Sequence, residues 1–245
     1  MAPHTITLAG NTDSDGFRRE ARALLAALVA PDEVDWVIDA GAAAQRFSRP
    51  AGPAGSRAAT SAGITHPLVP RSFMSMCETV ILHNAPLRFG LLYRLLWRLV
   101  HEPGLLHDPR DRDRVQALHM AQAVRRDMRK MKTLVHFSVV DDTPGTQALY
   151  LAWFDPDHHV VEAVAPFFAR RFAQLRWAIL TPERSVRWQG QVLEFGPGAP
   201  PIAAADGLGR RYREIFEKLA ARRQSVINSD RGSAPARSSR PDSAP

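Results

Sequence analysis

The stretch Leu134-Val135-His136-Phe137-Ser138-Val139-Val140-Asp141-Asp142-Thr143-Pro144-Gly145-Thr146-Gln147-Ala148-Leu149-Tyr150-Leu151-Ala152-Trp153-Phe154 decides the fold class. Its β-branched and aromatic residues flank Asp142-Thr143-Pro144-Gly145, a strong turn signal. Leu134–Val140 and Ala148–Phe154 therefore read as antiparallel partners. Downstream, Pro166 can open a short helix carrying Phe167, Phe168, Phe172 and Leu175. Arg176–Leu180 and Ser185–Phe195 read as two further strands joined at Thr181-Pro182-Glu183. Strand–strand–helix–strand–strand predicts an α+β fold, an antiparallel sheet with helices packed on one side.

Upstream the pattern turns helical. Pro86 to His101 is apolar around most of its circumference, with seven Leu or Val positions and Phe89, Tyr93 and Trp97 between them, so this Leu-rich helix is expected to be buried. One stripe departs from it: Arg94, Arg98 and His101 require water, a carboxylate partner or a ligand. A long helix follows from about Asp111 to Lys132, and a helix over Ser72–His83 precedes both. At the N-terminus, Thr5–Leu8 and Val34–Ile38 read as strands around a helix from Gly16 to about Val29, capped by Asp13 or Asp15. Residues 40–70, rich in Ala, Gly, Pro, Ser and Arg, read as a mobile connector. A last helix, about Leu208–Arg223, runs into a Ser/Arg/Pro tail expected to be disordered. The division is one domain over 1–216 and a divergent helix end and tail over 217–245.

Composition removes whole classes of function. The 245 residues are 45% apolar, and 11 Phe, 5 Trp and 3 Tyr exclude disorder throughout. The longest apolar run, Ala23–Ala30, is far short of the ~20 residues that cross a bilayer. With Cys77 as the single cysteine there is no intrachain disulfide, Cys-rich zinc module or three-cysteine iron–sulfur site. The N-terminus carries no secretory pattern, and the reading is of a cytoplasmic protein with no membrane association.

Charge points to a partner. Lys and Arg number 32 against 25 acidic residues, a net charge of +7, and only Lys130, Lys132 and Lys218 among the cations are lysines. A basic domain gathers polyanions, nucleic acid first among them. The cations cluster at the end of the long helix, where Arg125, Arg129 and Lys132 form a ridge with Arg126 and Lys130 beside it. Asp127 alone opposes them in sequence. Two readings stand side by side: a phosphate-binding ridge, or a solvated helix end paired with Asp127, Asp111 or Asp113. Arg170 and Arg171, interleaved with Phe167, Phe168 and Phe172, resemble a single-strand-binding surface, although phenylalanines at helical spacing more often build core. Trp153, Trp177 and Trp188 are expected to pack.

Other chemistry is thinly represented. His158, His159 and Glu162 can share a helix face, but no third metal ligand stands at a diagnostic spacing and neither HExxH nor HxxEH occurs. No GxSxG, GxxxxGK[ST] or GxGxxG is present, so no cofactor is expected.

Several motifs, in order, carry a family resemblance: Leu92-Tyr93-Arg94-Leu95-Leu96-Trp97-Arg98, Arg125-Arg126-Asp127, Lys130-Met131-Lys132, Ala152-Trp153-Phe154-Asp155-Pro156 with His158, Pro166-Phe167-Phe168-Ala169-Arg170-Arg171-Phe172, and Trp177-Ala178-Ile179-Leu180-Thr181-Pro182. With Asp15-Gly16-Phe17-Arg18 and Val34-Asp35-Trp36, the chain over about 5–216 resembles a bacterial domain-of-unknown-function family described as a "probable DNA metabolism protein". The resemblance implies association with a radical-SAM protein of DNA-repair type, or with a uracil-DNA-glycosylase-like domain of the UdgX type; no reaction comes with it. Two departures stand out. Arg129 replaces a His expected before Lys130-Met131, and Glu217-Lys218-Leu219 replaces the family's usual continuation.

The expectation is therefore a DNA repair or modification accessory protein that binds nucleic acid through Arg125, Arg126, Arg129, Lys130, Lys132, Arg170 and Arg171. Two alternatives remain. One is a cofactor-independent enzyme acting on DNA, with Asp127, His158 and Glu162 converging in a cleft. The other is a scaffold with Arg94 and Arg98 in internal ion pairs.

Overall fold

A computed structural model describes residues 4–39, 69–102, 104–105, 108–141, 147–201, 209–216 and 218. Residues 40–68 of the expected connector, the turn Asp142–Gly145 and the tail beyond Lys218 lie outside the described residues.

The N-terminal part is a strand–helix–strand unit. β1 (His4–Leu8) pairs in parallel with β2 (Val34–Ile38), and α1 (Ser14–Ala26) crosses between them. Asp13 caps α1: its carboxylate accepts the N–H groups of Gly16 and Ala9, both at 3.0 Å. Three helices follow, α2 (Arg71–Ile81), α3 (Arg88–His101) and α4 (Arg112–Leu134). As expected, α3 is the buried one, burying Phe89, Leu91, Leu92, Tyr93, Leu95 and Leu96. Its Tyr93 hydroxyl donates to the Val29 carbonyl at 2.7 Å, tying α3 to the end of α1.

The second half holds a five-stranded sheet in the order β3 (Ser138–Asp141), β4 (Leu149–Trp153), β5 (Arg176–Leu180), β6 (Arg184–Trp188), β7 (Leu193–Pro197). The chain is α+β, with helices packed on a mostly antiparallel sheet. Three details differ from the sequence reading. β4 and β5 run parallel, because α5 (Val161–Arg171) carries the chain back across the sheet between them. Ser185–Phe195 is two strands rather than one: the chain reverses near Gly190, whose φ of +89° is a conformation that favours glycine. Pro166 does not open its helix but lies inside it. Burial of Val161, Val164 and Ala165 on the sheet holds the earlier turn in place, although proline removes one backbone bond.

Helix α4 is longer than expected, continuing to Leu134, so that β3 begins at Ser138. Its 23 residues span ~35 Å and join two cores. Ala117, Met120 and Ala121 pack with α1, α2 and α3. Val124 and Met131 pack with α5 and the sheet face bearing Ala152, Trp177, Ile179 and Val186. Strand alternation sends Leu149, Leu151, Ala178 and Leu180 to the opposite face. There they meet Tyr212, Ile215 and Phe216 of the helical residues 209–216, which we call α6.

Candidate nucleic-acid interface and adjoining cleft

Because α4 buries Val124, Asp127 and Met131, the positions between them face water. Arg125, Arg126, Arg129 and Lys130 are exposed, and Lys132 is half-buried. Among the described residues no carboxylate pairs with Arg125, Arg126 or Arg129. Lys130 pairs with Asp157 at 3.2 Å, across a contact in which both side chains stay largely open to solvent. The Lys132 ammonium lies 5.2 Å from the centre of the Phe167 ring, which sets α5 directly beside the ridge.

The carboxylates considered as neutralising partners are occupied elsewhere. Asp113 takes a two-point contact from Arg94, both bonds at 3.0 Å, and Asp111 accepts from Arg98 at 2.7 Å. Arg98 also reaches Asp113 and Glu102. Burial would raise the Asp111 carboxyl, but hydrogen bonds from Arg98 and the Arg114 N–H outweigh it and hold the group below its ordinary value. The Arg94/Arg98 stripe thus meets its electrostatic requirement with protein carboxylates.

On α5, Arg170 and Arg171 are exposed. Arg171 lies over the Phe172 ring at 5.3 Å. Phe168 is buried, and it contacts Phe137, Phe172 and Trp177 in one aromatic cluster. The phenylalanines are core with partly open edges. Trp177 is buried, and Trp188 donates its indole N–H to the Ala173 carbonyl at 3.1 Å.

Two concavities adjoin the ridge; sequence reasoning anticipated only a cleft holding His158 and Glu162, and none of the segments that complete it. A groove of about 660 Å³ runs along α4, lined by Arg112, His119 and Arg126 with His83 at its side. The second is a cleft of about 470 Å³ where three segments meet. Asn11 and Thr12 come from the loop after β1, Asn84 from the α2–α3 turn, and Asp155, Asp157, His158, His159, Glu162, Glu183 and Arg184 from the sheet half. The two are linked by a ring pair: the His83 and His158 imidazoles lie 4.3 Å apart. Burial, then the neighbouring His158, lowers His83 to about 4. Burial lowers His158 as well, against the pull of Asp127.

His158 and Glu162 do share this cleft. Asp127 stands behind it, 3% exposed, with one carboxylate oxygen accepting the His158 backbone N–H at 2.9 Å. Glu162 is paired with Arg184, and His159 contacts Glu183, whose carboxyl that hydrogen bond holds low. Among the described residues no three His, Cys, Asp or Glu side chains are grouped to hold a metal ion. Cys77 is buried, and burial pushes its thiol up to about 12, far from thiolate chemistry at neutral pH.

A buried arginine also escaped the sequence reading. Arg88, 1% exposed, donates to the carbonyls of Ile81 (2.8 Å), Ala85 (2.9 Å) and Asn11 (2.8 Å). It holds the floor of the loop that supplies Asn11 and Thr12 to the cleft. No motif announces such a role; only the apolar company of Phe89, Leu91 and Leu92 hints at it.

Fold and site define a class: an α+β protein with a cationic helix face, three of its arginines without a carboxylate partner among the described residues, beside a polar cleft, and no described helix long and apolar enough to cross a membrane. The chain belongs to the family described as domain of unknown function DUF4130, which matches residues 86–230, more than half its length. The match begins just before α3 and takes in α4, the whole sheet and the sheet-side wall of the cleft. No curated protein and no solved structure matches the chain.

Proposed function

We propose that this protein binds the phosphate backbone of DNA through Arg125, Arg126, Arg129, Lys130 and Lys132, extended by Arg170 and Arg171, as a cytoplasmic accessory in DNA repair or base modification. The observation that carries the reading is the outward, carboxylate-free placement of Arg125, Arg126 and Arg129 while Asp127 points inward. Guanidinium groups in that state attract phosphates and release their counterions on contact. Arg112 farther along the same helix lengthens the cationic track. A helical ridge of this kind carries no sequence code of its own, so it suits a protein that presents DNA to a partner enzyme. The radical-SAM or uracil-DNA-glycosylase-like proteins implied by the family resemblance are the partners proposed.

The test is fluorescence anisotropy with single- and double-stranded DNA across a salt series. Wild-type protein is expected to bind at low salt with a steep salt slope, and the combined Arg125→Ala, Arg126→Ala, Arg129→Ala, Lys130→Ala variant to flatten that slope by about three to four units. Absence of wild-type binding to either DNA at about 50 mM salt overturns the reading. A pull-down with the candidate partners, with and without DNA, tests the handover.

A further inference from the structure

The cleft differs from the ridge in the sign of its charge. Asp155, Asp157, Glu162 and Glu183 line it against one permanent cation, Arg184. A phosphate group is repelled there, so a nucleic acid held on α4 keeps its backbone outside. The two sites nonetheless touch. Lys130 of the ridge pairs with Asp157 of the cleft, and the His83 ring at the groove's side lies in tilted contact with His158 inside the cleft. Burial lowers both imidazoles, so protonation of that pair is disfavoured.

The polar groups offered inside belong to a ligand that both donates and accepts. The Asn84 side chain and the Asp155 carboxylate have no hydrogen-bond partner among the described residues. The Asn11 amide oxygen is taken by Arg88, leaving its NH₂ group, and the Thr12 hydroxyl stands beside it. A volume of about 470 Å³ falls within the roughly 300–1,000 Å³ typical of small-molecule sites. Carboxylates read the exocyclic amino group of a base, and amides read adjacent donor–acceptor pairs.

We propose that the cleft receives one unstacked nucleobase, with N–H donors facing Asp155 and both donor and acceptor functions facing Asn84, from the strand whose phosphates lie on the ridge. The proposal rests on the nucleic-acid reading above, and its test separates the two. A labelled single-stranded dodecamer is compared with the same strand carrying abasic residues throughout. Phosphate contacts are common to both strands; a base in the cleft is not.

Wild-type protein is expected to bind the base-bearing strand about tenfold or more tightly than the abasic one. Asn84→Trp, at an exposed turn position whose side chain bonds nothing among the described residues, fills the cleft mouth. It is expected to erase that difference while leaving the salt slope unchanged. Equal wild-type affinity for the two strands overturns the base site and leaves the ridge reading standing. A base preference that persists in Asn84→Trp also overturns it, placing the stacking elsewhere. Should neither strand bind, the ridge reading fails, and cytidine alone judges the cleft. Perturbation of the His158 and His159 ring-proton resonances in wild type but not in Asn84→Trp supports the site, and no perturbation at millimolar cytidine overturns it.

Discussion

Asp127 and His158 are bound main chain to side chain: a carboxylate from the middle of the basic ridge accepts the His158 backbone N–H at 2.9 Å. One contact serves two ends. It removes the single acidic residue in the cationic run from the surface, and it fastens α4 to the cleft wall. Sequence placed Asp127 either as a neutralising partner or as an acid–base group; burial to 3% makes it a structural acceptor.

Asp127→Ala is therefore expected to lower stability by about 1–3 kcal/mol, the cost of leaving a partly buried N–H without its acceptor. Asp127→Asn, which keeps an oxygen in place, is expected to lose less. Urea denaturation measures both. An unchanged midpoint for Asp127→Ala contradicts the role assigned to the contact.

Lys130 must leave Asp157 before it can meet a phosphate, since the pair is made at 3.2 Å between two largely open side chains. Exposed pairs are worth about 0.2–1 kcal/mol. Asp157→Asn is thus expected to tighten single-stranded DNA binding by roughly two- to fivefold at low salt, an advantage that shrinks as salt screens the ridge. Weaker binding in that variant contradicts Lys130 as a phosphate contact.

Local rules carried the elements well where one residue dominated. Asp13 before Gly16-Phe17 announces its cap, the Leu-rich periodicity announces α3, and Arg176–Leu180 and Val34–Ile38 are strands by composition alone. Local rules failed where distant groups decide. Pro166 reads as a helix start because its missing N–H fits there, yet three buried residues before it hold another turn against the sheet. Gly198 reads as a turn, whereas any side chain there would collide with the Pro182 carbonyl, so it marks a close approach between two loops. The ridge was legible because its cations are neighbours on one helix. The cleft was legible only in part: His158 and Glu162 were expected to converge, but Asn11 and Asn84 are far from them in the chain, and only packing brings them to the same wall.

Arg88 shows the same limit in energetic terms. Its guanidinium is buried among three main-chain carbonyls, and burial lowers it to about 10 against the favourable field of Glu183. Removing the side chain opens a cavity and strands those carbonyls. Arg88→Ala is expected to cost about 3 kcal/mol or more, a large share of a domain's ~5–15 kcal/mol. Arg94→Ala, whose partner Asp113 keeps Arg98 and whose side chain is about half exposed, is expected to cost less than about 1 kcal/mol. Thermal unfolding of the two variants checks the contrast, and comparable losses contradict it.

The His83–His158 pair makes stability depend on pH in a definite direction. His83 takes up a proton near 6.5 when unfolded but only near 4 when folded, and His158 is lowered too. Between those values the unfolded chain binds more protons, so stability is full above about pH 6.5 and falls as pH drops toward 4. The surrounding charges act in both directions: Arg88, Arg126 and His159 disfavour protonation of one ring or the other, and Asp127 and Asp157 favour it at His158. Because both rings are only partly buried, screening reduces the loss to about 1 kcal/mol between pH 7 and pH 5. His83→Asn does not titrate and keeps an acceptor for the Ala85 N–H that the His83 ring now binds at 3.0 Å. That variant is expected to flatten the decline, read as the urea midpoint at the two pH values. A wild-type midpoint that holds constant from pH 7 to pH 5, or an equal fall in the variant, contradicts the assignment of this titration to the paired imidazoles.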